Sequence, residues 1–172
     1  MRHGRRTAAA GQARIVPASL TIGRAAVAPR VQVPATIAPM TVRDWRRSPV
    51  FADRPDPTLA PADGDNNSWA FVRAGAATLA EAGAGWRLYR AVLTPRRRIA
   101  TEGGRLNFAG IAGRAQLFVD GKLVGEKTAE AAGPLAVDFP RGDGERTIVL
   151  MVSGSAGQPS GLVGGVTIQP KG

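Results

Sequence analysis

Residues 103–125, GGRLNFAGIAGRAQLFVDGKLVG, constrain the fold more than any other part of the chain. Leu106 and Phe108 alternate with Arg105 and Asn107, and Ala115, Leu117 and Val119 alternate with Arg114, Gln116 and Phe118. Successive side chains of a strand point to opposite faces of a sheet, so this period of two describes strands with one buried side. Asp120-Gly121 then closes a hairpin. A two-residue turn of this kind needs positive φ at both central positions, which Asp tolerates and Gly adopts freely.

The same pattern extends through the second half of the chain. Strands are expected at 69–73, 86–94, 104–109, 114–119 with 122–126, 135–139, 146–152 and 162–169. Thr147, Ile148, Val149, Leu150, Met151 and Val152 are apolar on both alternating faces apart from Thr147, which predicts a central strand covered on both sides. Residues 76–82 are Ala-rich but lie between Gly75 and Gly83, which leaves room for one helical turn. The 22 Gly and 13 Pro of this 172-residue chain favour many turns over long helices. The expected fold is an all-β antiparallel sandwich over residues 63–170, preceded by an irregular basic leader.

Residues 1–40 hold no acid, several Arg and four Pro, so no independent core is expected there. Residues 41–62 combine Asp44-Trp45-Arg46-Arg47 with four further prolines and read as a packed loop or a linker. The net charge of +10 is uneven: residues 1–54 carry ten Arg against Asp44 and Asp53, whereas the remainder carries 13 basic and 11 acidic side chains. A nucleic-acid-binding domain needs a basic face on a folded module, and the sandwich is nearly balanced. Nucleic acid is therefore a minor reading confined to the leader. Pro95-Arg96-Arg97-Arg98 reads as a solvated turn, with contact to an anionic partner or neighbouring domain as its functional alternative.

Catalytic chemistry is sparse. There is no Cys, which removes disulfides and thiolate metal sites, and the single His3 leaves the sandwich without an imidazole base. No Gly-x-Ser-x-Gly elbow or phosphate-binding Gly-x-x-x-x-Gly-Lys-Ser/Thr loop is present. No apolar window approaches the length of a membrane span, and Arg5-Arg6 is not followed by an apolar signal core. Localisation stays open.

The order Phe108-x-Gly110-Ile111, then a strand ending Phe118-Val119-Asp120-Gly121-Lys122-x-Val124-Gly125, resembles the jelly-roll sugar-binding domains of family-two glycoside hydrolases, the β-galactosidase group, and galactose-binding-like modules generally. Asp65-Asn66-Asn67-Ser68-Trp69 and Trp86-Arg87-Leu88-Tyr89-Arg90 resemble their opening loop and first long strand. The segments around 135–139, 144–150 and 161–166 resemble their last strands, in the same order. Two positions depart from the family pattern: Asp120 and Arg146 stand where Asn is common.

The resemblance implies a non-catalytic accessory module of a β-galactosidase-type enzyme, with carbohydrate or a glycosidase catalytic domain as partner. It also implies that the leader is the end of a preceding immunoglobulin-like domain. Related enzymes are often periplasmic or secreted. A structural calcium is a further implication, for which Asp63, Asp65 and Asn67 supply alternating oxygens, although the rest of an EF-hand loop is missing. Sugar recognition pairs aromatic faces with planar polar groups. Among Trp45, Trp69, Trp86 and Tyr89, the candidate platform is Trp45 with Arg46, assisted by Asp65, Asn66 and Asn67. The alternative for Trp45 is burial as a packing residue, and Trp69 and Trp86 read as core.

Overall fold

The computed structural model describes residues 38–61, 68–75 and 81–171. Their strands are β1 (Met40–Thr41), β2 (Asp44–Arg47), β3 (Ala70–Arg73), β4 (Glu81–Ala82), β5 (Gly85–Leu93), β6 (Gly104–Ala112), β7 (Arg114–Val119), β8 (Lys122–Lys127), β9 (Gly133–Phe139), β10 (Arg146–Gly154), β11 (Pro159–Leu162) and β12 (Val166–Pro170). One helix, α1 (Arg97–Glu102), links β5 to β6. The strands form two antiparallel sheets, an all-β sandwich as expected. The first runs β1-β12-β6-β11-β4 with β9 on the other edge of β6; the second runs β3-β2-β5-β10-β7-β8.

The period-two pattern is what packs these layers together. Leu106, Phe108, Val137, Phe139, Val166 and Ile168 from the first sheet meet Tyr89, Leu117, Val119, Ile148, Leu150 and Val152 from the second in one buried core. Arg105 and Gln169, at alternating positions, are exposed. At roughly 1.5–3 kcal/mol per large apolar side chain removed from water, this core is the main source of stability.

Strand β10 lies between β5 and β7, and its residues 148–152 are all buried. Ile148, Leu150 and Val152 face the core; Val149 and Met151 face away from it and join Trp69, Leu88 and Phe118 in a second apolar cluster. Residues 48–54 cover that cluster as a strap. Ser48 N–H donates to the Leu88 carbonyl at 2.9 Å, Phe51 and Trp86 exchange two backbone hydrogen bonds at 2.8 Å, and Arg54 reaches Gln116 on β7 at 2.7 Å.

Two elements differ from the sequence expectation. The segment 41–62 is not wholly loop: residues 44–47 form a strand inside the second sheet, between β3 and β5. All four prolines of the segment, Pro49, Pro55, Pro57 and Pro61, lie after Arg47, so no backbone donor is missing where the ladder needs one. The basic run after Pro95 is not simply a solvated turn. Residues 97–102 form α1, with Ile99 and Ala100 buried at the end of the sandwich, an Arg98–Glu102 pair at 2.9 Å outside, and Gly103 at φ 79 ending it. The 162–169 strand is split, because Gly164 packs against the β6 backbone, where an added Cβ would lie 2.5 Å from Gly110 N. The helical turn proposed for 76–82 lies mostly outside the described residues, as does all of the leader up to residue 37.

The hairpin takes the expected form, with Asp120 at φ 50 and Gly121 at φ 75. It also brings together the two residues, Asp120 and Arg146, that stand where the resembled pattern commonly has Asn. The Asp120 carboxylate accepts from Thr147 N–H at 2.9 Å and from the Arg146 guanidinium, which in turn lies over the Phe139 ring at 5.5 Å. The two unusual residues are thus partners. A double-mutant cycle of Asp120→Asn and Arg146→Gln, read by urea denaturation, is expected to show a coupling of about 1 kcal/mol; additive effects would contradict the pairing. Leu150→Ala should cost about 2–5 kcal/mol in the same assay.

Candidate functional site

The structure buries the aromatic residue expected as a platform. Trp45 is 1% exposed, its indole N–H donates to the Val42 carbonyl at 3.1 Å, and its ring lies 6.0 Å from Phe108 of the opposite sheet. A ring closed in on both faces cannot stack on a sugar, so the platform reading of Trp45 is corrected to the packing alternative. Trp69 is buried as expected, and so is Tyr89, whereas Trp86, also expected in the core, is only half-buried against it. Asp65, Asn66 and Asn67 lie outside the described residues, and with them the calcium reading of 63–67. Among the described residues, no group of three or more His, Cys, Asp or Glu gathers to hold a metal.

The half-buried indole is Trp86, and it stands beside a groove. Ser153 of β10 is in register with Trp86 of β5 on one side and Arg114 of β7 on the other, which sets these three residues in a row across the outward face. Gln116 and Glu126 form the next rank, cross-strand partners joined by a 2.6 Å hydrogen bond from the Gln116 amide to the Glu126 carboxylate. Lys127 and Thr128 complete the lining of a recess of about 240 Å³. The strap fixes one wall, because Arg54 donates to the other end of the Gln116 amide.

The far wall is held by a buried ammonium. Lys127 is 9% exposed, and its Nζ donates to the carbonyls of Gly113 at 2.9 Å and Ala131 at 2.8 Å and to that of Ala129. Burial pulls its pKa below the ordinary lysine value. Glu130, in the loop so anchored, accepts from Ser155 at 3.1 Å and pairs with Arg114 at 3.3 Å. The groove therefore offers an indole face, a guanidinium, an amide, a carboxylate and a hydroxyl on strand positions. That is the chemistry of hydrogen bonding to hydroxyl groups beside an apolar ring face. Sequence reasoning missed the groove because register across β5, β10 and β7 assembles it.

Arg46 faces outward elsewhere on the same sheet. Its guanidinium lies over the Phe71 ring at 5.5 Å, beside a second recess of about 280 Å³ lined also by Asp44, Pro61, Arg90 and Val92.

No protein-family model matches the sequence, and no curated protein matches it. Solved structures share its fold. Faecalibacterium prausnitzii β-glucuronidase superposes with a TM-score of 0.61 and 12% identity over 80% of this chain and 32% of its own. Bifidobacterium dentium β-glucuronidase complexed with coumarin-3-O-glucuronide gives 0.61 and 14% over 81% and 31%. The family-two β-galacturonidase of Eisenbergiella tayi bound to galacturonate gives 0.52 and 17% over 78% and 24%. The sandwich has the fold of one part of such glycosidases, and the chain spans 24% to 32% of the length of these three.

Replacing Lys127 with Met removes the donor shared by three carbonyls and should cost about 1–3 kcal/mol. Hydrogen exchange should accelerate in residues 128–132 well before the core opens; unchanged protection there would show that the ammonium does not anchor the loop.

Proposed function

We propose that this chain is a non-catalytic accessory module of a β-glycosidase of the family-two type, acting in carbohydrate metabolism by holding a saccharide in the groove beside Trp86. The observation that carries the proposal is the groove itself, an indole in register with Ser153 and Arg114 and flanked by the Gln116–Glu126 pair, on a sandwich whose fold recurs within glycosidases. Its polar groups suit binding better than hydrolysis. Glu126 is engaged by Gln116, and Glu130 by Arg114 and Ser155, so neither carboxylate stands free as half of a catalytic pair. The β-galactosidase group is one parent consistent with the sequence; the solved structures that share the fold are named for uronide-cleaving enzymes.

A second reading is favoured by a different surface. Asn107, Ala109, Pro134, Ala136, Gly165 and Thr167 form a shallow recess of about 340 Å³ on the first sheet. Small side chains of this kind suit close packing against a catalytic domain, and a purely bracing module would use them without touching sugar. As for other partners, no helix among the described residues is long and apolar enough to cross a membrane.

The two readings separate by titration. Backbone chemical shifts followed against a panel of neutral mono- and oligosaccharides should move at Trp86, Arg114, Gln116 and Ser153 if the groove holds sugar. Trp86→Ala should weaken that binding about tenfold or more, a loss of about 1.4 kcal/mol or greater. Silence across the panel from folded protein would favour bracing alone.

A further inference from the structure

The recess beside Arg46 brings two guanidiniums to one place. Arg46 on β2 is the direct cross-strand neighbour of Phe71 on β3 and of Arg90 on β5, so the outward face carries a row Phe71, Arg46, Arg90 across three strands. Like charges placed directly opposite each other repel, and a sheet ordinarily alternates them with acids. Here the acid that lines the recess, Asp44, instead faces Arg73, at 3.7 Å. Among the described residues, Arg46 has the Phe71 ring as its neighbour, and Arg90 reaches the Thr147 hydroxyl at 3.5 Å.

One of the two guanidiniums also contacts an aromatic ring. Arg46 and Arg73 both lie over the Phe71 ring, with 5.5 and 5.9 Å from Cζ to the ring centre. A cation within about 6 Å of a ring centre is attracted to the ring face, and a guanidinium is the side chain that meets carboxylates bidentately. Phe71 is 52% and Val92 47% exposed, so apolar surface flanks the charge. The floor is the buried Trp45 and Ala91, which keeps the recess shallow.

We propose that this face binds a carboxylate-bearing saccharide, with Arg46 and Arg90 receiving the carboxylate and the exposed edge of Phe71 and Val92 packing against the sugar ring. A recess of about 280 Å³ is on the scale of a sugar ring. The site is separate from the Trp86 groove and does not depend on that groove holding sugar.

The test titrates the full chain by calorimetry with a galacturonate trisaccharide, a neutral galactose trisaccharide, inorganic phosphate, a glutamate-rich peptide and duplex DNA. The acidic trisaccharide should bind, weaken as salt is added, and lose about tenfold or more in the Arg46→Gln/Arg90→Gln variant. Arg97→Gln, on the exposed side of α1, should leave it unchanged. Shifts at Phe71 and Val92 in the unaltered protein locate the site even if the double variant does not fold. Equal binding of the neutral trisaccharide at Phe71 and Val92 would overturn the proposal. So would no binding of the acidic one, or phosphate, peptide or DNA binding as tightly at the same residues. Loss of neutral-sugar binding with retention of acidic binding would count against the Trp86 groove alone.

Discussion

Burial of β10 on both faces is the constraint on which the rest of the structure depends. A strand in a two-layer sandwich needs only one dry side, yet Val149 and Met151 are as buried as Ile148 and Leu150. The outward apolar cluster they form with Trp69, Leu88 and Phe118 would face water if nothing crossed it. Residues 48–54 cross it, anchored by paired backbone bonds to Trp86 and by the Ser48 hydroxyl, which accepts from Leu88 N–H at 2.9 Å. The covering strap then creates surface features of its own. It leaves Trp86 half-buried at its margin and sends Arg54 to Gln116, so the groove is a by-product of how the second face of β10 is kept dry.

Much of the fold was legible in the sequence because period two, turn chemistry and an all-apolar run are local signals. The hairpin at Asp120-Gly121 and the central position of β10 depend on few residues and came out as expected. What was not legible depended on position relative to distant elements. The density of proline in 41–62 suggested a loop, but the four rings all fall after Arg47, and Asp44–Arg47 was free to join the sheet. The basic run after Pro95 concealed Ile99 and Ala100, whose burial against the sandwich end is what holds a six-residue helix that would not be stable alone.

The candidate site shows the same division more sharply. An aromatic in a charged, proline-rich segment looks exposed, yet alternation along β2 turns Trp45 inward and Arg46 outward, and only the neighbouring sheet decides which is which. Phe71 carried no signal beyond belonging to a strand; its exposure follows from its place on edge strand β3. Asp120 and Arg146 read singly as two departures from a family pattern. In the structure they are one interaction, a carboxylate at the hairpin meeting a guanidinium stacked on Phe139.

The outward face of the second sheet thus carries two chemically distinct recesses, one with groups of both charges and an amide around an indole and one with two guanidiniums beside an exposed phenyl ring. Both are preformed only if the strap and β2 stay docked. Native-state hydrogen exchange at Phe51 N–H and Ser48 N–H measures this directly. The account predicts that these amides are protected far beyond loop values and open only with β5 and β10. Exchange at the rate of an unstructured loop, with β10 still protected, would mean that the strap is not part of the folded unit and that the groove beside Trp86 is not built in advance.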